Sequence, residues 1–207
     1  MWLNALICFL CAYLLGNLNG SVCISALMHD DVRSHGSGNA GLTNFIRNYG
    51  TGRALLVILI DAGKAVIACL TGGLLLAPLG LWLEGVMLAG FSVLLGHTFP
   101  ALLGFRGGKG ILSGLFVALV ADWRIALILI AVFALVYFAT RYVSLGSVLA
   151  AVTFAAGFII FQHDRPLVMA GGIFMGALTV FMHRGNIRRL IKGEERKTDL
   201  FGKGNKK

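Results

Sequence analysis

Three stretches of this chain run for 15 to 17 residues without one charged side chain: 125–139, 145–161 and 167–182. A helix on a water-soluble domain shows a polar face to solvent, and these stretches have none. In hydrocarbon no water is present to satisfy backbone N–H and C=O groups, so such a segment must close its own hydrogen bonds as a helix. With its polar flanks, each reaches the span of about 20 residues that a bilayer core requires. The rest of the chain follows the same pattern. Seven apolar segments are expected, at 2–27, 52–76, 81–100, 110–122, 124–139, 145–161 and 167–183. The fourth is short and is expected to be a partial or tilted span, beside which irregular backbone is tolerable only where it lines a cavity. Apolar residues make up 57% of the chain, charged residues 13%, and the mean hydropathy is +0.84. The predicted fold class is therefore an all-α integral membrane protein of seven transmembrane helices, a single domain over 1–207. The opening "MWLNALICFLCAYLL" lacks a basic leader and a small-residue exit, so it reads as a retained first helix.

Orientation follows from Lys and Arg asymmetry. Seven crossings sort the loops into two sets. One set, with flanking Arg53, holds Arg33, Arg47, Arg106, Lys109, Arg141 and nine more after Met182, fifteen in all. The other holds Arg124 and Arg165. The fifteen are expected on the cytoplasmic side, which places the N-terminus outside and the C-terminus inside. The net charge of +9 then meets anionic lipid headgroups, and nucleic acid is not an expected partner. Cys8 and Cys11 form a C-x-x-C, but all four cysteines lie in apolar segments. They read as small packing residues with no disulfide.

Against this background the polar stretch "GSGNAGLTNFIRNYG" (36–50) stands out, with four glycines and three asparagines. Glycines between polar residues let backbone N–H groups converge on an anion. Ser37, Asn39, Thr43 and Asn44 add side-chain donors, and Arg47 adds a planar charge suited to phosphate. "FRGGKG" (105–110) offers Lys109 between glycines at the start of a helix, where the dipole favours anions. It is not a nucleoside triphosphate loop, because Gly110 stands where Ser or Thr is required and Leu103 where the first glycine would be. Lys109 alone could equally be a membrane-boundary anchor. His183 and Asn186, at i and i+3, would share a helix face; a capping role is the plainer reading of His183. His97 reads as a ligand, a base or a structural hydrogen bonder. No carboxylate or thiolate is expected to cluster with either histidine, so no metal site is expected. Asp61 and Lys64, at i and i+3 inside a span, read as an internal ion pair or a proton relay.

Familiar nucleophile patterns are missing. No G-x-S-x-G occurs, and the fifth residue after each histidine is Ser34, Ala40, Leu102, Val168 or Arg188, so no H-x-x-x-x-D exists.

Taken together, "GSGNAGLTN" (36–44), "GHTFPALLGFRGGKG" (96–110) and "HRGNIRRLIKGEERK" (183–197) resemble, in order and spacing, the three signature motifs of the bacterial acyl-phosphate:glycerol-3-phosphate acyltransferases. The resemblance covers nearly the whole chain. Arg106 stands where that family often has lysine. The resemblance implies acyl transfer from fatty acyl phosphate to the 1-hydroxyl of sn-glycerol 3-phosphate, giving 1-acylglycerol 3-phosphate and phosphate, the first step of phospholipid synthesis. It implies no cofactor, no metal and no covalent acyl-enzyme, membrane lipids as surroundings, and an acyl-phosphate-producing enzyme as a partner. Carried over by position, Ser37, Arg47, Lys109, Ser144, His183 and Asn186 form the pocket. Ser37, Arg47 and Lys109 would hold phosphate, and His183 and Asn186 would orient glycerol 3-phosphate. Gly38, Asn39, Thr43 and Asn44, with the backbone of Gly107 and Gly108, would complete the anion cradle. A transporter of a phosphorylated solute also explains a basic, glycine-rich pocket, but predicts access from both faces and an internal repeat, and no convincing repeat is visible. A scaffold acting through its basic tail leaves the first two motifs unexplained.

Overall fold

The structure is a computed structural model that describes residues 1–198; the last part of the basic tail lies outside the described residues. Among these the regular structure is entirely helical. Ten α-helices follow in order: α1 (Trp2–Gly16), α2 (Gly20–Ala26), α3 (Leu42–Tyr49), α4 (Ala54–Leu76), α5 (Trp82–Thr98), α6 (Ile111–Ala121), α7 (Trp123–Thr140), α8 (Val143–Phe161), α9 (Pro166–Met182) and α10 (Arg184–Ile191). Four of them, α4, α5, α7 and α8, are long and apolar enough to cross a membrane. Two bent pairs, α1 with α2 and α9 with α10, raise the number to six. The remaining expected span, the short fourth one, is α6, an apolar helix of 11 residues. At 1.5 Å per residue it covers about 16 Å, roughly half of a hydrocarbon core.

The first span is not the continuous helix expected over 2–27. Asn17, Leu18 and Asn19 break it, with a bend of 42°. The free backbone groups at the break are met by a buried ion pair from α4. Lys64 Nζ donates to the carbonyls of Gly16 (3.3 Å) and Leu18 (2.5 Å), and Asp61 Oδ1 accepts from Gly20 N–H (3.1 Å). A cation thus caps the C-terminal end of α1 and an anion the N-terminal end of α2, the arrangement that helix dipoles favour. Asp61 and Lys64 are 2.8 Å apart and both about 2% exposed. The internal ion pair expected at these positions is present, and it holds the break.

Close helix packing rests on small residues. A Cβ on Gly85 would lie 2.2 Å from the Gly72 carbonyl oxygen, and one on Gly96 would lie 2.1 Å from that of Tyr13. The backbones of α4, α5 and α1 therefore touch, as in many membrane bundles. Cys8 packs into the same seam with its thiol facing the Gly85 carbonyl (3.9 Å), Cys11 is exposed, and all four cysteines are free thiols. By contrast α7 is mostly exposed along its length, and so forms an outer wall of the bundle.

Candidate active site

After α5 and a short 3₁₀ turn at Ala101–Leu103, the segment 104–110 turns back into the bundle. Gly108 N–H donates to the His97 carbonyl at 3.0 Å. Nothing larger than glycine fits there, since a Cβ on Gly107 would meet the His97 carbonyl oxygen at 2.0 Å. This re-entry starts α6 at the depth of Leu94 and explains why the helix is short. The irregular backbone borders a cavity of about 450 Å³.

The cavity has two unlike ends. Its polar end gathers Ser37, Asn39, Thr43, Asn44 and Arg47 from the first loop and α3, Lys109 from the re-entrant loop, Ser144 from α8, His183 and Asn186 from the start of α10, and Arg189 and Glu195 beyond them. These residues come from four separate stretches of chain. Its apolar end runs between α6, α7, α8 and α9 over Leu112, Leu115, Leu129, Phe133, Phe154 and Met175. Leu129 and Phe154 lie 11 residues from Thr140 and Val143, the ends of their helices beside the polar groups, a depth of about 16 Å at 1.5 Å per residue. Beyond them Ile125, Phe158 and Val168, all 0% exposed, close the bundle.

Lys109 Nζ donates to Asn186 Oδ1, Asn186 Nδ2 donates to Glu195 Oε1 at 2.7 Å, and Arg189 Nε donates to Glu195 Oε2 at 2.7 Å. Burial pushes the Lys109 ammonium down to about 8. The Glu195 carboxylate opposes that shift, while Arg189 and Arg47 add to it. Burial would raise the Glu195 carboxyl, but hydrogen bonds from Asn186 and Arg189 outweigh it and hold it below the usual range. The result is a basic end whose cations are organised by the Glu195 carboxylate. Arg47 Nε donates to Thr198 Oγ1 at 3.0 Å, and Thr198 N–H donates to the Arg141 carbonyl at 3.1 Å, so residues 194–198 cross the cavity mouth. His183 is 3% exposed, and its Nδ1 lies 2.8 Å from the Thr179 carbonyl, which can only accept. Nδ1 therefore carries the proton, and Nε2 is left as an acceptor.

Three expected cradle residues stand outside the cavity lining: Gly38, Gly107 and Gly108. The Gly108 N–H is engaged by His97 and the Gly38 N–H by the His35 carbonyl at 3.0 Å, so neither is free for an anion. Asn44 lines the cavity but organises the loop. Its Nδ2 reaches the carbonyls of Val32, His35 and Asn39, and its Oδ1 accepts from Ser37 N–H. Another expectation is corrected at His97. A carboxylate does approach it, Asp61 at 3.7 Å, but the Lys64 ammonium stands 2.8 Å from the same ring nitrogen and leaves no place for a cation. Among the described residues no group of three metal-ligating side chains occurs. Glu195 is the residue that sequence reasoning passed over. Its signal was available: it is one of two acidic residues inside a strongly basic segment, "RRLIKGEERK".

Known proteins share this architecture. A family model described as glycerol-3-phosphate acyltransferase matches residues 6–193. A glycerol-3-phosphate acyltransferase of Thermoanaerobacter sp. (strain X514) is 38% identical over 90% of this chain and 91% of its own length. Glycerol-3-phosphate acyltransferase 1 of Deinococcus radiodurans is 38% identical over 95% and 97%. The crystal structure of PlsY (YgiH), an integral membrane glycerol 3-phosphate acyltransferase, in its glycerol 3-phosphate form, superposes with a TM-score of 0.85 at 32% identity, covering 96% of this chain and 99% of that one. Its lysophosphatidic acid form gives 0.82. On sequence and fold alike, the chain belongs to the glycerol-3-phosphate acyltransferase family.

Proposed function

We propose that the protein transfers the acyl group of a fatty acyl phosphate to the 1-hydroxyl of sn-glycerol 3-phosphate, on the cytoplasmic face of the membrane. The observation that carries this reading is the two-ended cavity. Both substrates bear phosphate and one bears a long chain. A basic end of Arg47, Lys109 and Arg189 suits two phosphates, and a channel about 16 Å deep between α6 and α9 suits an acyl tail. The attacking hydroxyl oxygen forms a bond to the acyl carbon, the bond from that carbon to the phosphate oxygen breaks, and inorganic phosphate leaves. Its proton passes to a phosphate oxygen. Acyl phosphate is a mixed anhydride and already activated, so positioning and charge stabilisation supply the rate without an acyl-enzyme. The acceptor Nε2 of His183 and the amide of Asn186 orient the hydroxyl. Lys109, with Ser37 and Arg47, faces the charge that develops on the departing phosphate.

The deciding experiment incubates the purified protein with palmitoyl phosphate and glycerol 3-phosphate and follows phosphate release. Turnover with palmitoyl phosphate and none with palmitoyl-CoA is expected; equal rates would refute the donor assignment. The rival reading, transport of a phosphorylated solute, predicts uptake of glycerol 3-phosphate into proteoliposomes without phosphate release.

A further inference from the structure

Beneath the phosphate-binding loops lies a buried charged cluster that the proposed reaction does not use: Asp61, Lys64 and His97, each no more than 4% exposed. Lys64 Nζ is 2.8 Å from Asp61 Oδ1 and 2.8 Å from His97 Nδ1. An ammonium group can only donate, so His97 Nδ1 must accept, and the ring proton resides on Nε2. This is the opposite tautomer to that of His183. Among the described residues His97 Nε2 has no hydrogen-bond partner, although His97 and Asp61 both line the cavity. A Cβ on Gly108 would lie 2.2 Å from Nε2 and 3.1 Å from the Ala40 carbonyl oxygen, which puts this N–H where the first loop meets the re-entrant one. This N–H opens on the cavity without a protein acceptor, and it gains one if an anion sits between the loops.

We propose that His97 is a further phosphate-contacting residue: its Nε2–H donates to a substrate phosphate oxygen, and the Asp61–Lys64 pair is the positioning group that holds it in that tautomer. The cluster also reaches the loops through the helix break. Lys64 and Asp61 fix the break, Asn19 Nδ2 donates from it to the Ala40 carbonyl at 2.9 Å, and Asn17 Oδ1 accepts from Leu102 N–H at 2.9 Å. One ion pair therefore sets the position of both loops and the state of the donor between them. The inference rests on the proposed reading of the cavity as a phosphate site, but not on which acyl donor is used.

The experiment is nitrogen NMR on the full-length protein in detergent with ¹⁵N-labelled histidine, His97 being assigned by its loss in His97→Phe. The expected spectrum shows Nδ1 unprotonated and Nε2 protonated, and the Nε2 resonance moves when glycerol 3-phosphate is added. A protonated Nδ1, or an Nε2 resonance that saturating glycerol 3-phosphate leaves in place, overturns the proposal. In turnover, His97→Phe is expected to lower kcat/KM for glycerol 3-phosphate by about 10²-fold, the scale of one lost donor to substrate charge. His97→Gln, whose amide N–H reaches the Nε2 position, recovers about tenfold of that loss. Activity of His97→Phe within threefold of the parent, to order of magnitude, also overturns it. The double variant Asp61→Asn/Lys64→Met removes both charges together, so neither is left unpaired. It is expected to show mixed His97 tautomers, and a pure parent-like tautomer there removes the positioning role. Should His97→Phe fail to fold, His97→Gln supplies the assignment, and the parent spectrum and its response to glycerol 3-phosphate then decide.

Discussion

The two ends of the bundle both hold charged side chains, yet they differ in how those charges are partnered. At the end away from the cavity, Asp122 caps α7. It accepts from Arg124 N–H at 3.1 Å, pairs with the Arg124 guanidinium at 2.6 Å and takes a further bond from Gln162 at 2.9 Å. Arg124 lies over the Phe161 ring, and Arg165 reaches Glu84 at 3.7 Å. The principal pair is two residues apart in sequence and closed on itself. At the cavity end Arg189 and Glu195 pair six residues apart, but Lys109 and Arg47 take neutral partners from far along the chain. Lys109 meets Asn186 across 77 residues, and Arg47 meets Thr198 across 151. A local pair finishes a helix end. A cation that donates to a neutral side chain keeps its charge unneutralised toward a ligand, and here those neutral partners arrive only once the whole bundle has formed.

The sharpest way to break this comparison is to find the two ends on the wrong sides of the membrane. In a cysteine-free background, Gly52→Cys is expected to react with an impermeant thiol reagent only from the cytoplasm, and Asp164→Cys only from outside; both positions are exposed. The reverse labelling would put the cavity outside and end the reading of a cytoplasmic site.

The next effect is smaller but still large. Lys109→Ala and Lys109→Arg are expected to insert and fold, yet to lose about 10²–10³ in kcat, because a wide planar fork does not replace a compact ammonium in a tight site. Near-parental turnover of Lys109→Arg would make the residue a membrane anchor. With the ammonium at about 8, its charged fraction falls as pH rises through that value. Therefore kcat/KM for glycerol 3-phosphate should decline above about pH 8. Glu195 raises the Lys109 value, so Glu195→Gln should move this decline to lower pH, and a pH profile checks both statements.

The smallest effect belongs to the opposite end. Asp122→Ala removes a helix cap, with a cost of about 1 kcal/mol, read as a lower unfolding temperature in detergent. Its kcat/KM should stay at the parental value, and a large loss of activity would show that the two ends are coupled after all.

The helices were legible in the sequence because charge-free runs leave no alternative to a span. The break at Asn17–Asn19 was not, since two asparagines inside a run of apolar residues scarcely change its hydropathy. What makes the break possible is Lys64, 45 positions further on from Asn19. At the site, Lys109, Arg47, His183 and Asn186 were legible as basic and polar residues in apolar surroundings, and the fold brings them to one cavity. Asn44 was legible as a polar side chain but not as a loop organiser, because its three carbonyl partners are set by the turn it stabilises. Glu195 and Thr198 lie in a short segment without periodicity, and nothing local tells that it folds back over the mouth.

The two-ended cavity has a consequence for membrane area. Its polar end lies at one end of the bundle and its apolar end runs along the helices, so a single-chain amphiphile held there is already aligned with the lipids of one leaflet. Every turnover of the proposed reaction would then add material to that leaflet alone. The leaflets of a closed bilayer must keep matching areas, so a cell that builds lipid this way must also move half of it across.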